Sequence, residues 1–283
     1  MAECIAVSNQ KGGVGKSTTA NAIGAGLFRL GKRVLYVDLD AQGNLSHSLG
    51  VGNDASFTCF DVLTGKATLE EAVIQTSQGD LLPFSPALSK VDTVLTETGK
   101  EYRLQEAFRS EAGGGCFAAL ADSSSDFCRG SNPLPRGQIQ GPASRWDFII
   151  IDTPPALGTL TVNALTACDS VIIPSQADIY SLQGVGQLIQ TIQTVQKYCN
   201  SKLFIRGFLL VRYSPRAVIS RDMTDLLEDT ARQLNTKLYR TKIRECVAIK
   251  EAQAKHQDIF AYAPKSNAAE DYGNLINEIF GEE

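Results

Sequence analysis

The chain has 283 residues, 43% of them hydrophobic and 20% charged, with a formal net charge of -4 and a pI near 5.4. Those values describe an ordinary soluble fold large enough for a substantial core, and argue against a protein that coats nucleic acid over its whole surface while leaving room for a local basic face. Seven cysteines are scattered without a C-x-x-C spacing, and only His47 and His256 could add imidazole ligands, so reduced thiols are expected rather than a disulfide or metal framework. The start, MAECIAVSNQ, has neither a basic leader nor a long apolar run, and nowhere do eighteen apolar residues follow one another. The expectation is a cytoplasmic protein.

In chain order, short apolar runs read as strands: CIAVSN (4–9), RVLYVDLD (33–40), LLPFSP (81–86), WDFIIID (146–152), SVIIPSQ (from 170), LFIRGFLLV (203–211) and LYRTKI (238–243). Between them lie segments of helical periodicity such as TTANAIGAGLFRLG and SLQGVGQLIQTIQTVQKYC. The alternation predicts one α/β domain over 1–283, a doubly wound and mainly parallel β-sheet flanked by helices. Residues 110–145 break the pattern: Gly, Ser, Pro and Asn dominate, and an irregular or disordered insertion is expected there, at the amino end of the sheet. In such sheets ligands bind at the carboxyl ends of the strands, where Asn9 to Ser17, Asp38 to Gln42 and Asp152 to Pro155 gather polar groups.

The first of these is SNQKGGVGKSTT. The usual phosphate-loop spacing, G-x-x-x-x-G-K-[ST], puts Gln10 where its first glycine belongs, and Lys11 follows at once. Gly12, Gly13, Val14, Gly15, Lys16, Ser17 and Thr18 still join a strand to a helix and present backbone N–H groups to an anion. Lys16 is placed to reach the terminal phosphates and Ser17 to ligate magnesium. In VLYVDLDAQGN, strand alternation puts Asp38 and Asp40 on one side, where Asp38 suits contact with magnesium through its waters and Asp40 suits orienting an attacking water. Capping of the next helix is the structural alternative for both. WDFIIIDTPP is a Walker-B pattern, in which a buried strand aims Asp152 at the magnesium, and Thr153 to Pro155 form a stiff turn suited to sensing the terminal phosphate.

Together QKGGVGKSTT, YVDLDAQGN and IIIDTPPALGTLTVNAL resemble the deviant-Walker ATPases of the ParA/MinD family. VIIPSQADIYSLQG, LVRYSPR and IRECVAIKEAQAKHQDIFAYAPKSNAAEDY are similar to ParA-type partition ATPases in particular. The resemblance implies ATP and Mg2+ as cofactors, with slow, partner-stimulated hydrolysis. It makes Lys11 the signature lysine that crosses an ATP-bound homodimer to the partner's phosphates, Asp40 the hydrolytic carboxylate and Asp152 the Walker-B acid. It places adenine contacts in Arg212 to Ser214, Tyr213 included, and in Ile243 to Val247. It also implies non-specific DNA binding, association with the nucleoid in the ATP state, a ParB-like centromere-binding partner, and a role in partitioning a plasmid, mobile element or chromosome.

A cation donated by each subunit to the other's phosphates lowers the repulsion between two face-to-face nucleotides, which makes association depend on ATP. Residues 201–255 hold twelve Lys/Arg against six Asp/Glu, a net +6 in a chain of -4. Solvated helix faces and a DNA-backbone surface explain that count equally well. The resemblance favours DNA, with Arg216, Arg221 and Arg244 as candidate contacts. A MinD-like membrane ATPase would need a basic amphipathic helix, whereas the chain ends in YGNLINEIFGEE, so no membrane partner is expected. An ATP-binding scaffold or transcriptional regulator with little turnover is the other alternative.

Overall fold

The computed structural model describes residues 2–109, 142–177, 179–214 and 218–281. The expected insertion therefore lies outside the described residues except for its last turn, Pro142–Arg145, which leads into the amino end of a strand.

Eight strands form one sheet: β1 (Glu3–Val7), β2 (Val34–Asp38), β3 (Ile74–Thr76), β4 (Gly79–Leu82), β5 (Phe148–Asp152), β6 (Ser170–Gln176), β7 (Phe204–Tyr213) and β8 (Ile243–Arg244). Their order is β3-β4-β2-β5-β1-β6-β7-β8. Every neighbouring pair is parallel except β3 with β4. The helices are α1 (Lys16–Arg29), α2 (Asn44–Ser48), α3 (Cys59–Leu63), α4 (Leu69–Ala72), α5 (Val91–Val94), α6 (Arg103–Arg109), α7 (Thr159–Ala167), α8 (Ile179–Tyr198), α9 (Val218–Gln233), α10 (Val247–Ala254), α11 (Ile259–Tyr262) and α12 (Asn267–Phe280).

Side-chain alternation splits the interior into two cores. Ile149 and Ile151 of β5 enter the core under α3, α6, α7, α8 and α9, while Ile150 enters the one under α1, α10 and α12. Each such fully buried aliphatic side chain contributes roughly 1.5–3 kcal/mol. Helix α1 lies close on the sheet because it carries glycine where a side chain would collide: a Cβ on Gly24 would strike the Tyr36 ring, and one on Gly26 the tip of Ile276. That closeness fixes where the loop before α1 meets the ends of β1, β2 and β5.

Two expectations fail in detail. LYRTKI is not a continuous strand: Leu238 makes a single bridge to Phe208, and the paired strand is Ile243–Arg244 alone. Glu278 on α12 takes the intervening amides of Arg240 and Thr241 at 2.7 and 2.9 Å, so they do not ladder with β7. LLPFSP stops pairing at Leu82 because Pro83 has no N–H to offer. Strand β3 is an unforeseen antiparallel edge, too short at three residues to show alternation.

Candidate functional site

β1 ends at Val7 and α1 starts at Lys16, and the loop between them needs glycine at two places: Gly13 has φ 70° and Gly15 φ 84°. A Cβ at Gly12 or Gly13 would meet nothing within 4 Å, which leaves room for an anion over the loop. Two side-chain amides stitch the loop to the end of β6. Asn9 donates from Nδ2 to the Pro174 carbonyl at 2.6 Å and accepts the Lys11 amide at 2.9 Å. Gln176 donates from Nε2 to the Gly13 carbonyl at 3.1 Å, and its Oε1 accepts from Lys11 Nζ at 3.4 Å. Neither amide carries a role of its own in the sequence, although both obey the rule that polar groups cluster at strand ends, where the sequence already places Asn9. Lys16 is buried and donates to the Lys11 carbonyl at 3.2 Å. Burial pulls its pKa down, while the nearby Asp152 and Asp40 charges push it back up.

Asp38 and Asp152 are neighbours in register on β2 and β5, and both are fully buried. Asp38 is satisfied within the chain: Oδ2 accepts from Ser46 N and Oγ at 2.8 and 2.7 Å, and Oδ1 accepts from Asp40 N at 3.2 Å. Burial still raises its pKa to about 6, against the pull of those bonds, with the Asp40 charge adding to the rise. Asp152 differs, because neither of its oxygens has a hydrogen-bond partner among the described residues. Burial, then the charge of Asp38, push its pKa well above the carboxylate range. The Ser17 hydroxyl and Lys16 oppose the rise, the former without a hydrogen bond of normal geometry.

Asp40 lies beyond the end of β2, in a turn closed by Gly43 N on its carbonyl at 2.9 Å, so strand alternation does not govern its direction. Its Oδ1 accepts from Gln42 N at 3.0 Å. Thr153 is committed to β1, its hydroxyl donating to the Val7 carbonyl at 3.0 Å.

A buried carboxylate with two unsatisfied oxygens, a hydroxyl at Ser17 and a lysine beside them form a hard oxygen site fitted to a small divalent cation that keeps water and phosphate ligands. Among the described residues no group of three or more His, Cys, Asp or Glu forms a protein-only metal cage.

Alongside the loop runs an open groove lined by Gly15, Thr18, Arg212, Ile243, Cys246 and Gln253, among others. Arg212 and Ile243 both line this groove. Tyr213 is not in the lining; its ring lies under Lys242, with Nζ 4.6 Å from the centroid. Gln253 on α10 donates to Thr18 Oγ1 at 3.2 Å and so joins the groove wall to α1. No sequence signal marked it, since glutamines are frequent on solvated helix faces.

The candidate DNA contacts are dispersed. Arg216 lies outside the described residues, and Arg221 is exposed on α9 beside Asp222 and Asp225. The Arg244 guanidinium is held in the chain by Asp271 at 2.6 Å and Glu270 at 2.7 Å, which pushes its pKa up. Arg206 and Arg232 also pair within the chain, with Glu3 and Asp229. Four of the six acids of 201–255 (Asp222, Asp225, Glu228 and Asp229) share the exposed side of α9. Among the described residues no helix is long and apolar enough to cross a membrane.

The family model described as an AAA domain matches residues 2–111 and 132–205. The sporulation initiation inhibitor protein Soj of Bacillus subtilis is 35% identical, over 99% of this chain and 98% of its own. The chromosome partitioning protein ParA of Caulobacter vibrioides is 32% identical, over 99% and 94%. Among solved structures, a cobyrinic acid a,c-diamide synthase from Mycobacterium smegmatis with bound ADP and magnesium superposes with a TM-score of 0.73 at 33% identity, covering 98% of this chain and 93% of that one. A glycine loop at the end of β1, a buried aspartate at the end of β5 and full-length similarity to Soj and ParA agree: the chain belongs to the AAA-domain family of ParA/MinD-type P-loop ATPases.

Proposed function

We propose that the protein is an ATP-dependent dimeric switch that hydrolyses ATP slowly, binds DNA non-specifically in its ATP state and drives DNA partitioning. The observation that carries the reading is Asp152, a fully buried carboxyl group whose oxygens have no hydrogen-bond partner among the described residues, placed beside Lys16 and the Asp40 loop. A fold does not bury such a group for stability, because unsatisfied polar atoms cost free energy. Soj and ParA, similar over nearly their whole lengths, support the partitioning role.

In this reading the amides of Gly12 to Ser17 and the Lys16 ammonium hold the β- and γ-phosphate oxygens, and the base lies in the groove by Arg212 and Ile243. Ser17 would hold magnesium, with Asp152 and Asp38 contacting its water shell, and the ion would supply charge neutralisation on the phosphates. Asp40 accepts a hydrogen bond from a water and aims it at the γ-phosphorus. The new P–O bond forms as the bond to the β-phosphate oxygen breaks, giving ADP and phosphate. Positioning and electrostatics supply the acceleration, as phosphoryl transfer requires.

Lys11 is held on Gln176 in the single subunit. In the dimer it turns to the other subunit's phosphates, and loss of the γ-phosphate removes its partner there and loosens the pair. Dimerising doubles the number of phosphate contacts that the cations of each subunit can make, which raises both the affinity for DNA and its salt dependence. A ParB-like protein completes the cycle by stimulating hydrolysis. The test is sedimentation with ATP of wild type, Lys11→Ala and an equimolar mixture. A lysine acting in trans gives no Lys11→Ala homodimer and a mixed dimer with reduced turnover. ATP-driven self-association of Lys11→Ala equal to wild type rejects the role.

A further inference from the structure

Among the described residues, five helices end in the same hook, in which the residue after the C-cap enters the left-handed region and the following amide reaches back to the last turn. Helices α1, α2, α3 and α9 use Gly31, Gly50, Gly65 and Asn235 there, with φ 77°, 80°, 72° and 50°. Helix α10 uses His256, with φ 53°. Its hook is complete: Gln257 N donates to the Ala252 carbonyl at 3.0 Å and His256 N to that of Gln253 at 3.1 Å. Glycine meets this geometry without strain and asparagine with little, so the backbone alone gives no reason for histidine.

The side chain supplies the reason. His256 Nδ1 lies 2.6 Å from the carbonyl oxygen of His47, at the C-terminal end of α2. A carbonyl only accepts, so Nδ1 carries the proton and donates. The two helix ends abut: a Cβ on Gly50 would stand 3.6 Å from that of His256. A further bond holds the hook, Gln78 Nε2 donating to the His256 carbonyl at 3.4 Å.

Each helix so joined belongs to a different half of the site. Helix α10 is the wall of the groove, through Ile249, Lys250 and Gln253, the last bonded to Thr18. Helix α2 carries Ser46, whose amide and hydroxyl donate to Asp38 while its oxygen accepts the Phe84 amide at 3.2 Å. Asp38 in turn accepts the Asp40 amide. We infer that His256 is a positioning residue that ties the base-groove helix to the loop bearing Asp40, so that a base seated in the groove sets where the hydrolytic carboxylate stands. This rests on the proposed ATPase reading and adds to it a link between base recognition and hydrolysis.

Two substitutions separate the link from the backbone. His256→Gly suits the hook and removes the donor; His256→Asn tolerates the left-handed region and keeps an N–H. Hydrogen–deuterium exchange of the full chain with and without Mg-ADP is read at residues 38–50 and 247–254. In wild type and His256→Asn, ADP protects both segments. In His256→Gly it protects 247–254 and no longer 38–50. In turnover assays His256→Gly loses at least fivefold in kcat, while its Kd for a non-hydrolysable ATP analogue stays within twofold and His256→Asn stays within twofold of wild type throughout. Protection of both segments in His256→Gly, an unchanged kcat, or a kcat and affinity that fall together overturns the link. No ADP protection of either segment in wild type overturns the nucleotide-site reading itself.

Discussion

Asp38 and Asp152 face one another in register on adjacent parallel strands, both fully buried, yet only Asp38 has hydrogen-bond donors within the chain. Asp38 is tied to the loop that carries Asp40, whereas both Asp152 oxygens lack a hydrogen-bond donor among the described residues.

The pair gives the protein without nucleotide a stability that falls as pH rises. Asp38 has a folded pKa of about 6 against 3.8 for the free side chain, so the folded state binds more protons than the unfolded one between those values. The advantage is present below pH 4 and is lost as pH climbs through 6, by about 3 kcal/mol for this one group. Denaturant titrations from pH 4 to 7 should show the loss, and Asp38→Asn should flatten the profile. Asp152→Asn should flatten it further, because an amide has no ionised form for burial to disfavour.

Lys16→Ala should abolish ATP binding, since it deletes a buried ammonium that stands beside the Asp152 and Asp40 carboxylates. Titration with a fluorescent ATP analogue measures it. Unchanged affinity would refute the phosphate-loop assignment.

Asp40→Ala should keep ATP affinity within a few-fold and lower kcat by roughly 10²–10⁴, the usual worth of a positioned general base. The variant should accumulate as an ATP-bound dimer that holds DNA longer than wild type. Turnover at the wild-type rate would exclude Asp40 as the residue that orients water.

Gly24→Ala should cost about 1–3 kcal/mol, because the added methyl meets the buried Tyr36 ring and α1 must shift off the sheet. Thermal melts measure the loss. A matching fall in ATP affinity is expected, since α1 carries Lys16 and Ser17 at its first turn.

Much of this was legible in the residues. The glycine loop and the apolar runs ending in acids located the ends of β1, β2 and β5, because strand burial and phosphate binding each demand specific residue types at close spacing. Contacts between distant segments left no such mark. Asn9 to Pro174, Gln253 to Thr18 and His256 to His47 join residues 165, 235 and 209 apart in the chain. The strand reading of LYRTKI failed for the same reason: Glu278 claims the amides on which a ladder would depend. A charge count could not show how charge is distributed in space: four of the six acids of 201–255 gather on α9, and Arg206, Arg232 and Arg244 of that segment pair within the chain.

The central claim is that ATP assembles a DNA-binding dimer. Its most direct test is binding of the purified protein to non-specific duplex DNA with ATP, with ADP and without nucleotide, across a salt series. The account predicts binding with ATP alone, falling steeply as salt rises. Equal binding in all three states, or none with ATP at low salt, would contradict it.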